Sequence, residues 1–179
     1  VLNGLAGALY IGAQLGPGPR DGLMTGLARR TGWSLRLVRT GIEVIDGSSG
    51  SGSQVLFGSA SGSESLKGGS GTNSLWGGAG AVSDTLIGGS GTTTYGFGTG
   101  EGNDVITSST SSDTVLLYDV SLSDISSCGV TSGAMVITLT DGSSLKIKNY
   151  TSSSVNTFTL SDGTSYTYDY STKGWSVKS

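Results

Sequence analysis

Residues 49–107 return six times to a glycine-rich turn followed by a short stretch carrying one large apolar residue. Aligned on the pattern G-G-x-G-x-D-x-U-x, where U is large and apolar, the units are SGSGSQVLF, GSASGSESLK, GGSGTNSLW, GGAGAVSDTLI, GGSGTTTYG and GTGEGNDVIT. The U position holds Leu56, Leu66, Leu75, Leu86, Tyr95 and Ile106 in turn. A Gly/Ser linker has no reason to keep that register. Glycine permits the positive φ and the close backbone approach that a tight turn needs. The x-U-x that follows is a strand just long enough to point one side chain inward. No unit can bury its apolar residue alone, but stacked units bury a ladder of them. The repeat therefore predicts a β-solenoid.

Composition agrees with that expectation and narrows the chemistry. Glycine contributes 32 of 179 residues, while 13% are charged and 35% apolar. Disordered chains carry more charge and fewer Val, Ile, Leu and Tyr. The chain has no His and one Cys, Cys128, which excludes His-based triads, His metal sites, internal disulfides and CxxC zinc modules. A net charge of −3 argues against nucleic acid as the partner.

The six units resemble the calcium-binding nonapeptide repeats of RTX (haemolysin-type) proteins. The likeness continues through YGFGTGEGNDVI, SDTVLLYDVSLSDI, AMVITLTDGSSLKIKNY and FTLSDGTSYTY, and covers about residues 47–170. It implies an all-β fold, a right-handed parallel β-roll in which two repeats make one coil, with calcium held between turns by carbonyls and the repeat's Asp. Alternate units then share an edge. One edge holds Gln54, Asn73 and Thr93 at the Asp position, and the other holds Glu64, Asp84 and Asp104. The first lacks the carboxylates a hard dication requires, and its side chains are expected to bond the neighbouring turn's backbone. The second keeps its anions, but each of its turns carries an insertion. Glu64, Asp84 and Asp104 are thus either a candidate calcium edge of low occupancy or solvated turn residues. A roll that folds largely without metal is expected, and complete unfolding on chelation would contradict it.

Residues 108–179 change period. Val136 and Thr138 alternate with Ile137 and Leu139, and Leu145 and Ile147 with Lys146 and Lys148. Asp141-Gly142 lies between these runs, and Asp162-Gly163 lies between 157–160 and 165–168. Asp-Gly between alternating runs signals a β-hairpin. Hairpins that cap or continue the 46–107 roll are expected, since an exposed terminal coil recruits other chains. Tyr150, Tyr166, Tyr168, Tyr170 and Trp175 form either a carbohydrate-contacting face or half-buried sheet packing.

The first 45 residues differ in kind. All five Arg lie before residue 46 and all five Lys after it, and Ser34 is the one serine of that segment. A fusion boundary near Val44–Gly47 is the expected reading. VLNGLAGALYIGAQLG is uncharged but shorter than the roughly 20 residues a membrane span needs. LMTGLARRTGWSLRLVRTGIEV reads as a short amphipathic, basic, helical segment and the one place for membrane contact. With the preceding LGPGPRDG it resembles a piece of the YczE/YitT-like bacterial integral membrane proteins, over about a quarter of the chain.

No Ser lies in a G-x-S-x-G elbow with a His to follow, and no P-loop occurs. The expectation is a non-enzymatic structural or adhesive module of a secreted or surface-exposed bacterial protein, partnered by cell-surface or matrix components. Self-assembly into a filament or surface layer is the second reading, and an engineered roll carrying a foreign peptide the third. The RTX resemblance implies export by a route that needs no N-terminal signal.

Overall fold

The computed structural model describes residues 44–60 and 62–178. The helical segment and membrane contact expected near the start fall on residues 1–43, outside the described residues. The compact unit described begins at Val44. In chain order its strands are β1 (Val44–Asp46), β2 (Gln54–Phe57), β3 (Ser65–Lys67), β4 (Asn73–Trp76), β5 (Thr85–Ile87), β6 (Thr93–Phe97), β7 (Asn103–Ser108) and β8 (Thr114–Leu117). A 3₁₀ turn, Leu122–Asp124, leads to β9 (Ile125–Thr131), β10 (Ala134–Leu139), β11 (Ser144–Ile147), β12 (Thr157–Thr159), β13 (Ser165–Asp169) and β14 (Gly174–Val177).

Odd and even strands of the roll go to opposite sheets. One sheet runs β1-β3-β5-β7-β11-β10-β9, the other β14-β13-β12-β8-β6-β4-β2. This is a parallel β-solenoid closed by antiparallel strands. The ladder foreseen from the repeat is present in exact register. Leu66, Leu86, Ile106 and Ile147 stack in one sheet. Leu56, Leu75, Tyr95, Val115 and Phe158 stack in the other. All but Leu56, on the outermost strand, are buried. Each such side chain stabilises the fold by roughly 1.5–3 kcal/mol relative to exposure, so the ladder is the main cohesive element.

Parallel pairing runs on past residue 107. β8 pairs parallel with β6, β11 with β7, and β12 with β8. Within the roll most equivalent residues are 20 apart, as Asp84 and Asp104 are, and Gln54 and Asn73 are 19 apart, whereas Ser144 and Asn103 are 41 apart. The added chain is the β9–β10 excursion, which leaves the coil and returns antiparallel. β11 and β12 are therefore both hairpin strands and rungs of the solenoid.

Both Asp-Gly hairpins form as read. Thr138 pairs with Ser144 around Gly142 (φ 92°), and Thr159 pairs with Ser165 around Gly163 (φ 83°). Two further hairpins carry weaker signals. Ser132-Gly133 turns β9 into β10 with φ of 51° and 75°, and Lys173 (φ 52°) precedes β14. A two-residue turn with both φ positive normally announces itself with Asn or Asp first, and Ser132 does not.

Candidate functional site

The two edges of the roll are built differently. The edge between β3 and β4 and between β5 and β6 stacks glycine on carbonyl. A Cβ on Gly89 would collide with the Gly69 carbonyl oxygen, and one on Gly91 with that of Gly71. Asn73 fills the middle of its own turn: Oδ1 accepts from Gly69 N (2.9 Å), and Nδ2 donates to Gly69 O (3.1 Å) and Gly71 O (3.0 Å). Gln54 Nε2 likewise donates to Gly47 O at 2.9 Å. These amides knit their own turns rather than the neighbouring one, because the short side chain reaches two to seven residues back along its own chain. The edge also holds a carboxylate that the repeat alignment, ending at 107, left out. Asp113 takes the equivalent place one coil on, accepting from Thr93 N and Thr110 N at 2.7 Å each. The signal was available: Asp113 lies one 20-residue step beyond Thr93, two residues before inward Val115.

The other edge carries Glu64, Asp84 and Asp104, which are buried at 4%, 0% and 1% exposure and are not solvated turn residues. Their glycines do different work, since Gly78, Gly80, Gly100 and Gly102 all have positive φ. The longer turns here depend on backbone that only glycine adopts cheaply. Asp84 Oδ1 accepts from Glu64 N at 2.7 Å, and Asp104 Oδ1 from Asp84 N at 2.9 Å. One oxygen of each Asp therefore ties its coil to the preceding one.

The second oxygens converge. Gly77 opens the turn after β4, and a Cβ built on it would lie 2.6 Å from Asp104 Oδ2 and 2.9 Å from Asp84 Oδ2. Asp104 Oδ2 is buried and has no hydrogen-bond partner among the described residues. Burial pushes the Asp104 carboxyl up to about 7, against the pull of the Asp84 N–H bond, and the negative charges of Asp84 and Glu101 add to the rise. Glu64 also bonds within its own coil, where its Oε2 accepts from Ser59 N beside Gly58.

Glu101, which sequence reasoning passed over, joins the same edge. It is buried, accepting from Gly98 N and Tyr118 Oη at 2.8 Å each. Burial raises its carboxyl as well, opposed by those two bonds and helped by Asp119. Among the described residues no three acidic side chains group closely enough to hold a metal unaided. Two buried, converging carboxylates beside a glycine turn nonetheless fit a hard dication, which completes its shell with turn carbonyls and water. Asp84 and Asp104 are the pair that fits.

A model of the RTX calcium-binding nonapeptide repeat matches this chain in four copies, over residues 59–95 and 99–117. Over those residues the roll is similar to RTX repeats. Repeats of this kind bind calcium. The matched region spans the converging Asp pair and extends to β8, as the parallel pairing does. The chain is also 46% identical over 44 residues to the uncharacterized membrane protein YczE of Bacillus subtilis, a quarter of this chain and a fifth of that protein. It shows the same identity over the same length to an uncharacterized protein of Haemophilus influenzae. The chain thus spans about a fifth of these curated relatives, in keeping with the resemblance of its opening segment. Among the described residues no helix is long and apolar enough to cross a membrane.

Proposed function

We propose that this RTX roll is a one-sided calcium clamp, a structural or adhesive module without catalysis in a secreted or surface-exposed bacterial protein. The observation that carries the reading is the meeting of Asp84 Oδ2 and Asp104 Oδ2 beside Gly77. Calcium, when bound, supplies two positive charges that cancel the repulsion between carboxylates on successive coils. Asp84 and Asp104 supply one oxygen each to the ion while their Oδ1 atoms keep the inter-coil hydrogen bonds. Gly77 leaves the room that any side chain would fill. Glu101, held by Tyr118, keeps a further negative charge near Asp104. The opposite edge has its turn centre filled by the Asn73 amide and needs no ion.

Calorimetric titration of the full chain with calcium tests the reading. One ion per chain is expected, with Asp84→Asn and Asp104→Asn each abolishing the heat. Absence of binding at millimolar calcium, or unchanged binding in both variants, overturns it. Adhesion to surface or matrix material is the accompanying expectation, checked by retention of the chain on bacterial cell-wall preparations.

A further inference from the structure

The capped end of the solenoid holds a cavity of about 400 Å³ that the calcium edge does not involve. That volume lies within the range of small-ligand sites, about 300–1,000 Å³. Its wall combines Tyr150, Asn156, Tyr168, Asp169, Tyr170 and Ser176. The three tyrosines cluster, with Tyr150 centred 5.9 Å from Tyr168 and 6.0 Å from Tyr170. Tyr150 and Tyr168 are 2% and 4% exposed, yet neither hydroxyl has a hydrogen-bond partner among the described residues. The rings are buried but neither oxygen is, so both hydroxyls stay open on the cavity side. Both line the cavity, so whatever enters it meets two waiting hydroxyls.

Asp169 adds an oriented acceptor. Its Oδ1 takes all three bonds that fix it, from Ser171 N (2.8 Å), Ser171 Oγ (2.6 Å) and Thr172 N (3.3 Å). Oδ2 takes none among the described residues and remains available on the cavity wall. The Asn156 amide nitrogen likewise donates to nothing there. Tyr170, 41% exposed, offers part of its ring to solvent. No Lys or Arg lines the space, which removes the partner a phosphate, sulfate or uronate would need.

The geometry points to a binding site for the neutral, hydroxyl-rich ring of a saccharide in this cavity between residues 150–156, β13 and β14. The Tyr170 ring packs against the apolar C–H face of the sugar. Tyr150, Tyr168 and Asn156 meet its hydroxyl oxygens, and Asp169 Oδ2 accepts from a hydroxyl. An aromatic cage for a quaternary ammonium would also use tyrosines beside an acid. Such a cage needs open ring faces, and Tyr150 and Tyr168 are packed edge-on against each other instead.

Incubating the full chain with an array of neutral and anionic oligosaccharides tests the site. Calorimetry then follows with the best neutral oligosaccharide and with choline. The expected result is saturable binding of a neutral glycan, unaffected by EDTA, and weakened at least tenfold by both Tyr170→Ala and Ser176→Trp. Ser176 is exposed on β14, so its substitution fills the cavity without entering the core. Far-UV circular dichroism confirms that each variant stays folded, and either one alone suffices for the comparison. Retention of no neutral glycan, a preference for anionic ones, choline binding with the same dependence, or undiminished affinity in the folded variants overturns the proposal. Loss of calcium binding in Asp104→Asn with glycan binding intact separates this site from the clamp.

Discussion

The two edges of the roll solve one problem by opposite means. Each coil must turn twice, and each turn leaves a small polar space beneath the next coil. On the amide edge Asn73 fills that space with its own side chain, and glycine is needed because the neighbouring carbonyl comes too close for a Cβ. On the acid edge the turns are irregular, glycine is needed for positive φ, and the space is faced by two carboxylates. One edge fills its turns with the chain's own amides, although Gln54 Oε1 and Thr93 Oγ1 stay buried without a partner among the described residues. The other is stable in proportion to what neutralises it.

The comparison can be broken at its stiffest point first. Gly89→Ala drives a methyl into the Gly69 carbonyl, and overpacking of this kind costs about 3 kcal/mol. Urea unfolding is expected to show that loss equally with calcium and with EDTA, since no ion relieves a steric clash. Gly77→Ala puts its methyl between the Asp84 and Asp104 oxygens instead, and its cost is expected to appear mainly when calcium is present.

Next in size is the ion itself. At calcium one hundred times above its dissociation constant, binding to the folded state adds about 2.7 kcal/mol. That increment should vanish in Asp104→Asn and leave the metal-free roll folded.

Proton concentration acts on the same pair. Asp104 titrates at about 7 in the folded roll, above its usual 3.8, so the folded state holds a proton that the unfolded chain releases. Metal-free stability should therefore fall as pH rises from about 4 to 7 and level off above that. After allowance for screening by water the drop is on the order of 2 kcal/mol. Thermal unfolding in EDTA measures it, and Asp104→Asn should flatten the profile.

An effect of similar size on the other edge sharpens the contrast. Asn73→Asp removes two donations to Gly69 O and Gly71 O, about 1 kcal/mol each. If the edges differ only in this filling, added calcium should restore part of the loss, which urea titration with and without calcium would show.

Much of this was legible because the ladder depends on period alone. Leu66, Leu75, Leu86, Tyr95 and Ile106 had to point inward once their spacing was seen, and they do. The continuation to β8 was legible too, by stepping Thr93 forward to Asp113, but the glycines that flag a repeat give way there to serine and threonine. Other features were not written in any pattern. That Glu64 turns into its own coil while Asp84 and Asp104 share a space depends on side-chain length and on how the inserted turns fold back. The burial of all three acids follows from stacking, which no single repeat records. The Ser132-Gly133 turn is dictated by the strands it joins rather than by its own residues.

The 20-residue step between coils sets the proportions of the object. Each coil adds the spacing of one strand to the next, about 4.8 Å. The same twenty residues drawn out straight would reach about 66 Å. A chain that merely had to hold two things apart would use its length very wastefully in this form. What the winding returns is stiffness and a broad flank, a short, rigid plinth that holds what lies at its capped end at a fixed angle and height.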